Sequence, residues 1–189
     1  MEPTQTCNRK EGVVIGDEGL QGMADNTLRI LRYHGLLVEI SQNVYAPKDL
    51  VATSSLRARM VELCAPRGAI ACLLCAHWIY TGRWPANYLP HFSFAHPKSS
   101  RNPVVMRKNI PEYQLRYFAD FPVTTPLKTL QDIAERYPLD TVFSCALNLV
   151  YSKHLTAQEI SIVASYLDSK RYSTARKGLH SIARYLAST

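Results

Sequence analysis

Ala69 to Tyr80 is the longest apolar run in the chain, and His77 is the one basic side chain inside it. The run is too short to cross a bilayer, which takes about 20 residues as a helix. Other parts of the same chain must therefore cover it. The break at Pro66-Arg67-Gly68 precedes it and Gly82 follows it, so the spacing predicts a buried helix over Ala69–Thr81. Covering such an element takes a real core. A chain of 189 residues, 47% hydrophobic and 20% charged, can supply one without staples. This balance fits one folded domain or two small ones and excludes a disordered or fibrous chain.

Met1 to Lys10 is polar, so no secretory leader is expected. Five cysteines at irregular spacings do not make a disulfide framework. A reducing, cytoplasmic setting without membrane contact is the expectation.

The chain divides near Thr53, into residues 1–53 and 54–189. In the first part, Asp25 or Asn26 can cap a helix that runs to His34 and ends at Gly35. At about 100° per residue, Met23, Ala24, Ile30 and Leu31 share an arc with Leu28. Asn26, Arg29, Arg32 and Tyr33 take the opposite arc. Gly12 to Leu20 reads as a less regular first helix, with Gln21-Gly22 as a turn. Leu36 to Ile40 and Val44 to Ala46 read as two strands about a turn at Ser41-Gln42-Asn43, and Pro47 stops the second. Helix, turn, helix, hairpin is the order of a winged helix-turn-helix, whose second helix enters the major groove.

In the second part, Ser54 or Ser55 caps a helix to Cys64. Strand character recurs at His91–His96, Pro103–Arg107, Leu115–Phe118 and around Val123. Thr125 caps a helix with Pro126 at its first position, and helices follow over Leu139–Tyr151, Thr156–Leu167 and Ser173–Leu186. Thr156 and Glu159 have the spacing of a capping box. The fold class is α+β: a winged helix-turn-helix followed by a mixed α/β domain with a helical C-terminal part.

Candidate site residues come from these placements. Arg29 and Arg32 on an outer helix face suit guanine or phosphate contact, with Asn26, Thr27 and Tyr33 beside them. Ser41, Gln42 and Asn43 at the wing tip suit backbone or minor-groove contact, or form an ordinary turn. Thr124-Thr125-Pro126 with Asp132 reads in two ways. It is a capped helix whose Asp132 bonds a neighbouring loop, or a phosphate- or partner-facing site with Lys128. Lys170, Arg171, Arg176, Lys177 and Arg184 form the densest basic cluster, and Asp168 is the lone acid after Glu159. Cys72-Leu73-Leu74-Cys75 has metal spacing, but no second pair accompanies it, and core cysteines are the expectation. His91 and His96 fall on opposite faces of a strand and make poor co-ligands. No enzyme signature is present, and Asp120, Asp132 and Asp140 fit no nuclease template. The chain is expected to be no enzyme and to need no cofactor or metal.

The stretch Gly22 to Arg29, with Asn43-Val44-Tyr45-Ala46, resembles the winged-helix start of AbiEi-family antitoxins of type IV (abortive infection) toxin–antitoxin systems. Phe121-Pro122-Val123-Thr124-Thr125-Pro126-Leu127-Lys128-Thr129-Leu130-Gln131-Asp132-Ile133-Ala134 is similar to that family's G-LPVTSP-RTL-DLA stretch. Ala71 to Trp84 and Leu155 to Ile160 fall in family order, so the likeness covers most of the chain. Thr125, Lys128 and Phe121 stand where the family usually has Ser, Arg and Gly. The resemblance implies an antitoxin that represses its own operon through inverted repeats. It also implies a C-terminal domain that counters a nucleotidyltransferase-like toxin encoded next door. Two other readings remain: direct neutralisation of the toxin through the basic C-terminal face, and an enzyme acting on the toxin.

Charge is divided unevenly. Residues 1–50 hold five Lys+Arg and seven Asp+Glu, a net of −2, so the chain's overall +7 places +9 on the remainder. Phosphate neutralisation supplies much of the affinity for nucleic acid. Arg29 and Arg32 would then read locally. Lys98, Arg101, Arg107, Lys108 or the C-terminal cluster would supply the bulk attraction.

Overall fold

The computed structural model describes residues 13–14, 25–41, 44–85, 88, 90–96, 105–167 and 170–188. They form an α+β fold with two sheets and seven α-helices among the described residues.

The N-terminal part contains β1 (Val13–Val14), α1 (Asp25–Tyr33), β2 (Leu37–Ser41) and β3 (Val44–Pro47). The sheet order is β1-β3-β2, with β2 and β3 antiparallel and β1 parallel to β3. Val13–Val14 is thus a strand, where the sequence reading has a helix. The rest of that expected helix and the Gln21-Gly22 turn lie outside the described residues. So do Gln42 and Asn43. Gly35 ends α1 at φ +71°, a left-handed conformation that a side chain would strain. Leu36 N–H donates to Leu31 at 3.0 Å and Gly35 N–H to Arg32 at 2.9 Å, the paired bonds that close a helix end.

The hairpin buries two faces. Leu37 and Tyr45 meet Leu28 and Leu31 of α1 in a small cluster of their own. Ile40, Val44 and Ala46 instead join the main core, as does Val51 in the following 3-10 turn, Lys48–Val51. The main core therefore runs through the expected division near Thr53. Ile30, placed with Leu28 by the helical wheel, is 57% exposed. At about 100° per residue it stands about 200° from Leu28, at the far end of that broad arc, and the hairpin covers only the side of Leu28 and Leu31.

The remaining elements are α2 (Ser54–Cys64), β4 (Ile70–Ala71), α3 (Leu73–Thr81), β5 (Phe94–His96), β6 (Val105–Arg107), β7 (Leu115–Phe118), β8 (Phe121–Thr124), α4 (Pro126–Arg136), α5 (Leu139–Tyr151), α6 (Ala157–Tyr166) and α7 (Ser173–Ala187). Their sheet has the order β6-β5-β4-β8-β7. β4 lies at its centre, antiparallel to β5 and parallel to β8. The first residues of the long apolar run are therefore strand, and helix begins only at Leu73. An all-apolar stretch carries no period to separate the two states, and pairing on both edges decides it. Cys72 is extended, Leu73 turns the chain at φ +52°, and Gly82 ends α3 at φ +69°.

Thr53, rather than Ser54 or Ser55, caps α2 through a 3.2 Å bond from Leu56 N–H. Thr125 caps α4 with Pro126 inside, and Thr156 with Glu159 completes the capping box of α6. Trp78, Tyr80, Leu130, Ile133, Leu149, Ile160 and Leu179 are buried in the core these helices share.

α7 crosses α5 at Gly178. A Cβ there would stand 2.5 Å from Phe143 Cε1 and 2.6 Å from Cζ. Gly178→Ala is expected to cost about 1–3 kcal/mol by overpacking, despite alanine's better helix propensity. Urea denaturation checks this, and a stability at or above that of the unaltered chain would contradict the close crossing.

Candidate functional site

Leu28 fixes how α1 faces outward. With that side chain buried, Asn26, Arg29 and Arg32 are exposed, Thr27 is half-buried, and Tyr33 is 88% exposed. Arg32 Nη1 lies 2.6 Å from Glu39 Oε2 on β2. An exposed pair of this kind contributes little stability, about 0–1 kcal/mol, but it fixes where the guanidinium sits. Arg29 has no such tie among the described ion pairs. Ser41 is buried at the end of β2, so it is not an outward contact of the hairpin tip.

The C-terminal cations lie on other elements than α1. Lys170 and Arg171 are exposed in a 3-10 turn, Lys170–Tyr172, and the Arg171 guanidinium lies 5.6 Å from the Tyr172 ring centre. Lys177 and Arg184 are exposed on α7, and Arg176 is half-buried. The sequence of α7 contains no acid. A cleft of about 290 Å³ beside this turn is lined by Arg136, Tyr137, Arg171, Tyr172 and Thr174 among others. Lys98 and Arg101 lie outside the described residues.

Lys128 departs from the surface role considered for it. It is 8% exposed, and its Nζ stands 2.9 Å from Asp132 Oδ1 one turn along α4. Lys108, from the segment after β6, reaches the same oxygen at 2.5 Å. Asp132 does bond a neighbouring loop, as one reading of the motif has it. Thr124 and Thr129 close the motif from inside, their hydroxyls 2.7 Å apart. Asp120 sits in the β7–β8 turn and Asp140 in the first turn of α5, so the three aspartates form no cluster.

Cys72, Cys75 and Cys145 are buried free thiols. Burial pushes the thiols of Cys75 and Cys145 up to about 12, and that of Cys72 higher, with Cys75 and Asp132 adding to the effect. They pack as small hydrophobes rather than as thiolates. Among the described residues no three His, Cys, Asp or Glu side chains converge as a metal set. His91 stacks on Trp84, and Trp84 on Trp78.

Comparison with protein-family models, curated proteins and solved structures gives no match. The fold and its side chains must carry the functional argument.

Arg57 goes unnoticed in the sequence reading. It points inward from α2 and is 7% exposed, with no carboxylate partner among the described residues. Its Nε donates to Ile79 O at 2.8 Å. Nη1 donates to Val51 O and Ala52 O, and Nη2 to Ser54 Oγ and Tyr80 O. All five guanidinium donors are thereby used. Burial alone lowers its pKa. Two of the acceptors lie at the end of α3, where the helix dipole favours a cation. Arg57 also lines a cleft of about 640 Å³ with Leu36, Val38, Val51 and Trp78, but it has no donor to offer a ligand there. The sequence does hold a signal for this: Arg57 shares its helical face with Met60, Val61 and Cys64.

Proposed function

We propose that this chain is a DNA-binding antitoxin that represses its own operon. A winged helix-turn-helix in residues 1–53 would read inverted repeats in operator DNA. Residues 54–189 would counter a nucleotidyltransferase-like toxin. The observation that carries the DNA reading is α1. Leu28 and Leu31 seat it on the hairpin, Asn26, Arg29 and Tyr33 are exposed away from that contact, and Arg32 is exposed at its flank beside Glu39. Such a face has the donors for base edges and phosphates. The excess charge of residues 51–189 would supply electrostatic attraction from the other part of the molecule. The antitoxin assignment rests on the Phe121–Ala134 resemblance. In this reading the protein is a cytoplasmic regulator and not an enzyme, and it needs no cofactor. No helix among the described residues is long and apolar enough to cross a membrane.

Arg29→Ala with Arg32→Ala is expected to weaken operator binding by about tenfold or more and to relax sequence preference. Arg29→Ala alone should carry most of the loss, because Arg32 must first leave Glu39. A gel-shift titration at fixed salt on the upstream region of its own operon measures both. Unchanged binding by the double variant would sink the reading-helix assignment.

The acid-free sequence of α7, with Lys170 and Arg171 beside it, favours a second reading. Here the protein neutralises its toxin by direct contact through this cationic face. Co-purification with the product of the adjacent reading frame supports that reading, and growth rescue without a stable complex opposes it.

A further inference from the structure

Several cations of this fold are already tied. Arg32 meets Glu39, Lys108 and Lys128 share Asp132, and Arg57 uses its donors on groups inside. Arg136 and Arg171 are different. Both are exposed, neither forms an ion pair among the described residues, and both line one cleft of about 290 Å³. Arg136 comes from the last turn of α4 and Arg171 from the turn before α7. Tyr137, Tyr172 and Thr174 add to the walls. The Arg171 guanidinium lies 5.6 Å from the Tyr172 ring centre, a contact that helps to place it. α7 starts at this cleft without a side-chain cap and without an acid in its first turn. The positive end of its dipole therefore adds to the field of the two arginines.

Size and charge decide what can enter. Small-molecule pockets hold about 300–1,000 Å³ and enclose most of their ligand. This cleft stands at the bottom of that range and is open to solvent, which suits a side chain reaching in from a larger partner. Glu135 also lines it and accepts from Gln131 Nε2 at 3.2 Å. Two guanidiniums against one carboxylate leave a single positive charge, which one further carboxylate balances. A guanidinium fork takes a carboxylate through two parallel hydrogen bonds. Tyr and Arg are also the side chains that often carry the binding energy of protein interfaces.

The attraction continues along α7. Thr174 lines the cleft and heads an exposed face on which Lys177, Ser181 and Arg184 follow at helical spacing. Lys177 and Arg184 lie two turns apart, about 10.5 Å along the axis. A helix with one acid every seven residues has the same spacing. A duplex strand sets a phosphate about every 3.4 Å along its axis, so most of its charge would meet no cation on this face.

We propose that the Arg136–Arg171 cleft and the exposed face of α7 dock an acidic segment of a protein partner. One carboxylate of that segment enters the cleft between the two guanidiniums, and further acids lie along Lys177 and Arg184. This surface rests on the reading in which α7 meets its partner by direct contact, and it uses no residue of α1.

The test uses the full chain and a fluorescein-labelled helical peptide with glutamate at every seventh position. The same peptide with glutamine in place of glutamate, and a labelled oligothymidylate, are the comparison probes. Fluorescence anisotropy at fixed salt reads binding. The glutamate peptide is expected to bind, and the glutamine peptide to bind about tenfold or more weakly. Arg136→Gln with Arg171→Gln should lose a similar factor with little change in Tm, since both side chains are exposed. Arg136→Lys with Arg171→Lys should recover only part, because an ammonium lacks the fork. Lys177→Gln with Arg184→Gln should cost less, and that loss should fade as salt is raised. Absence of glutamate-peptide binding, equal binding of the two peptides, or full affinity in the Arg136→Gln with Arg171→Gln variant overturns the proposal. So does oligothymidylate that binds more tightly than the glutamate peptide and needs the same two arginines, the mark of a nucleic-acid site. Co-purification with the product of the adjacent reading frame separates this surface from the reading it rests on. A complex that survives Arg136→Gln with Arg171→Gln overturns the surface and keeps direct contact. No complex, with glutamate-peptide binding that depends on both arginines, supports the surface and removes that product as its partner.

Discussion

Arg57→Met is expected to lower the unfolding free energy by about 3–5 kcal/mol, the largest effect of any single substitution considered for this protein. The guanidinium gives its five donors to Val51, Ala52, Ile79 and Tyr80 carbonyls and to the Ser54 hydroxyl. Methionine fills a similar space and satisfies none of them. Tyr80 O would keep its bonds from Ser54 Oγ and from His154 Nε2, while Ile79 O, Val51 O and Ala52 O would lose their side-chain donor. Lysine should recover only a small part, since its three donors on a flexible stem cannot span this set of acceptors. Urea denaturation of the full chain, read by midpoint at unchanged slope, measures the loss. A cost below about 1 kcal/mol would show that the network is not what joins α2, the end of α3 and the turn after the hairpin.

The second large effect is a dependence of stability on acid. The His77 imidazole is wholly buried in α3, and among the described residues neither ring nitrogen has a hydrogen bond of good geometry; the Arg83 backbone is its one weak polar neighbour. Burial lowers its pKa from 6.5 to about 4, with the backbone near Arg83 opposing the shift only in part. Between those two values the unfolded chain takes up a proton that the folded chain refuses. Stability therefore rises with pH across this window. It is lost as pH falls from about 6.5 towards about 4, by about 3 kcal/mol in all. Half-buried His154 is also held low, chiefly by burial, and adds in the same direction. His77→Met should remove most of the slope and leave the His154 share. At neutral pH it should be at least as stable as the unaltered chain, because a buried, poorly hydrogen-bonded imidazole gives way to an apolar side chain of similar volume. Chemical denaturation at several pH values between 4 and 7 decides the matter, and an unchanged slope in His77→Met would refute it.

Local rules were enough for the capped and periodic segments. Gly35, the Thr125-Pro126 start and the Thr156–Glu159 box each satisfy helix-end groups within a few residues. Lys128 and Asp132 were also legible as neighbours, four apart on one helix. Lys108 was not, because 24 residues separate it from Asp132 and only strand order brings it there. Ile70–Ala71 read as helix because its apolar neighbours have no period, and it became the central strand because Phe94 and Val123 flank it. Arg57 was the opposite case. Its helical position was readable, but its five acceptors come from the turn after the hairpin, the start of α2 and the end of α3.

The long apolar run with its single histidine marks the division between the two sources of information. By itself the sequence determined that Ala69–Tyr80 is buried, since no bilayer-length option exists and the chain has enough apolar mass to cover it. It also determined where most helices start and stop, because caps and turns are satisfied locally. Only the tertiary structure decided that the run opens as strand, that His77 is buried among apolar neighbours and that two lysines share one carboxylate. Those outcomes depend on which distant segments meet. Pairing, desolvation and charge balance are properties of that meeting, and no window of neighbouring residues contains them.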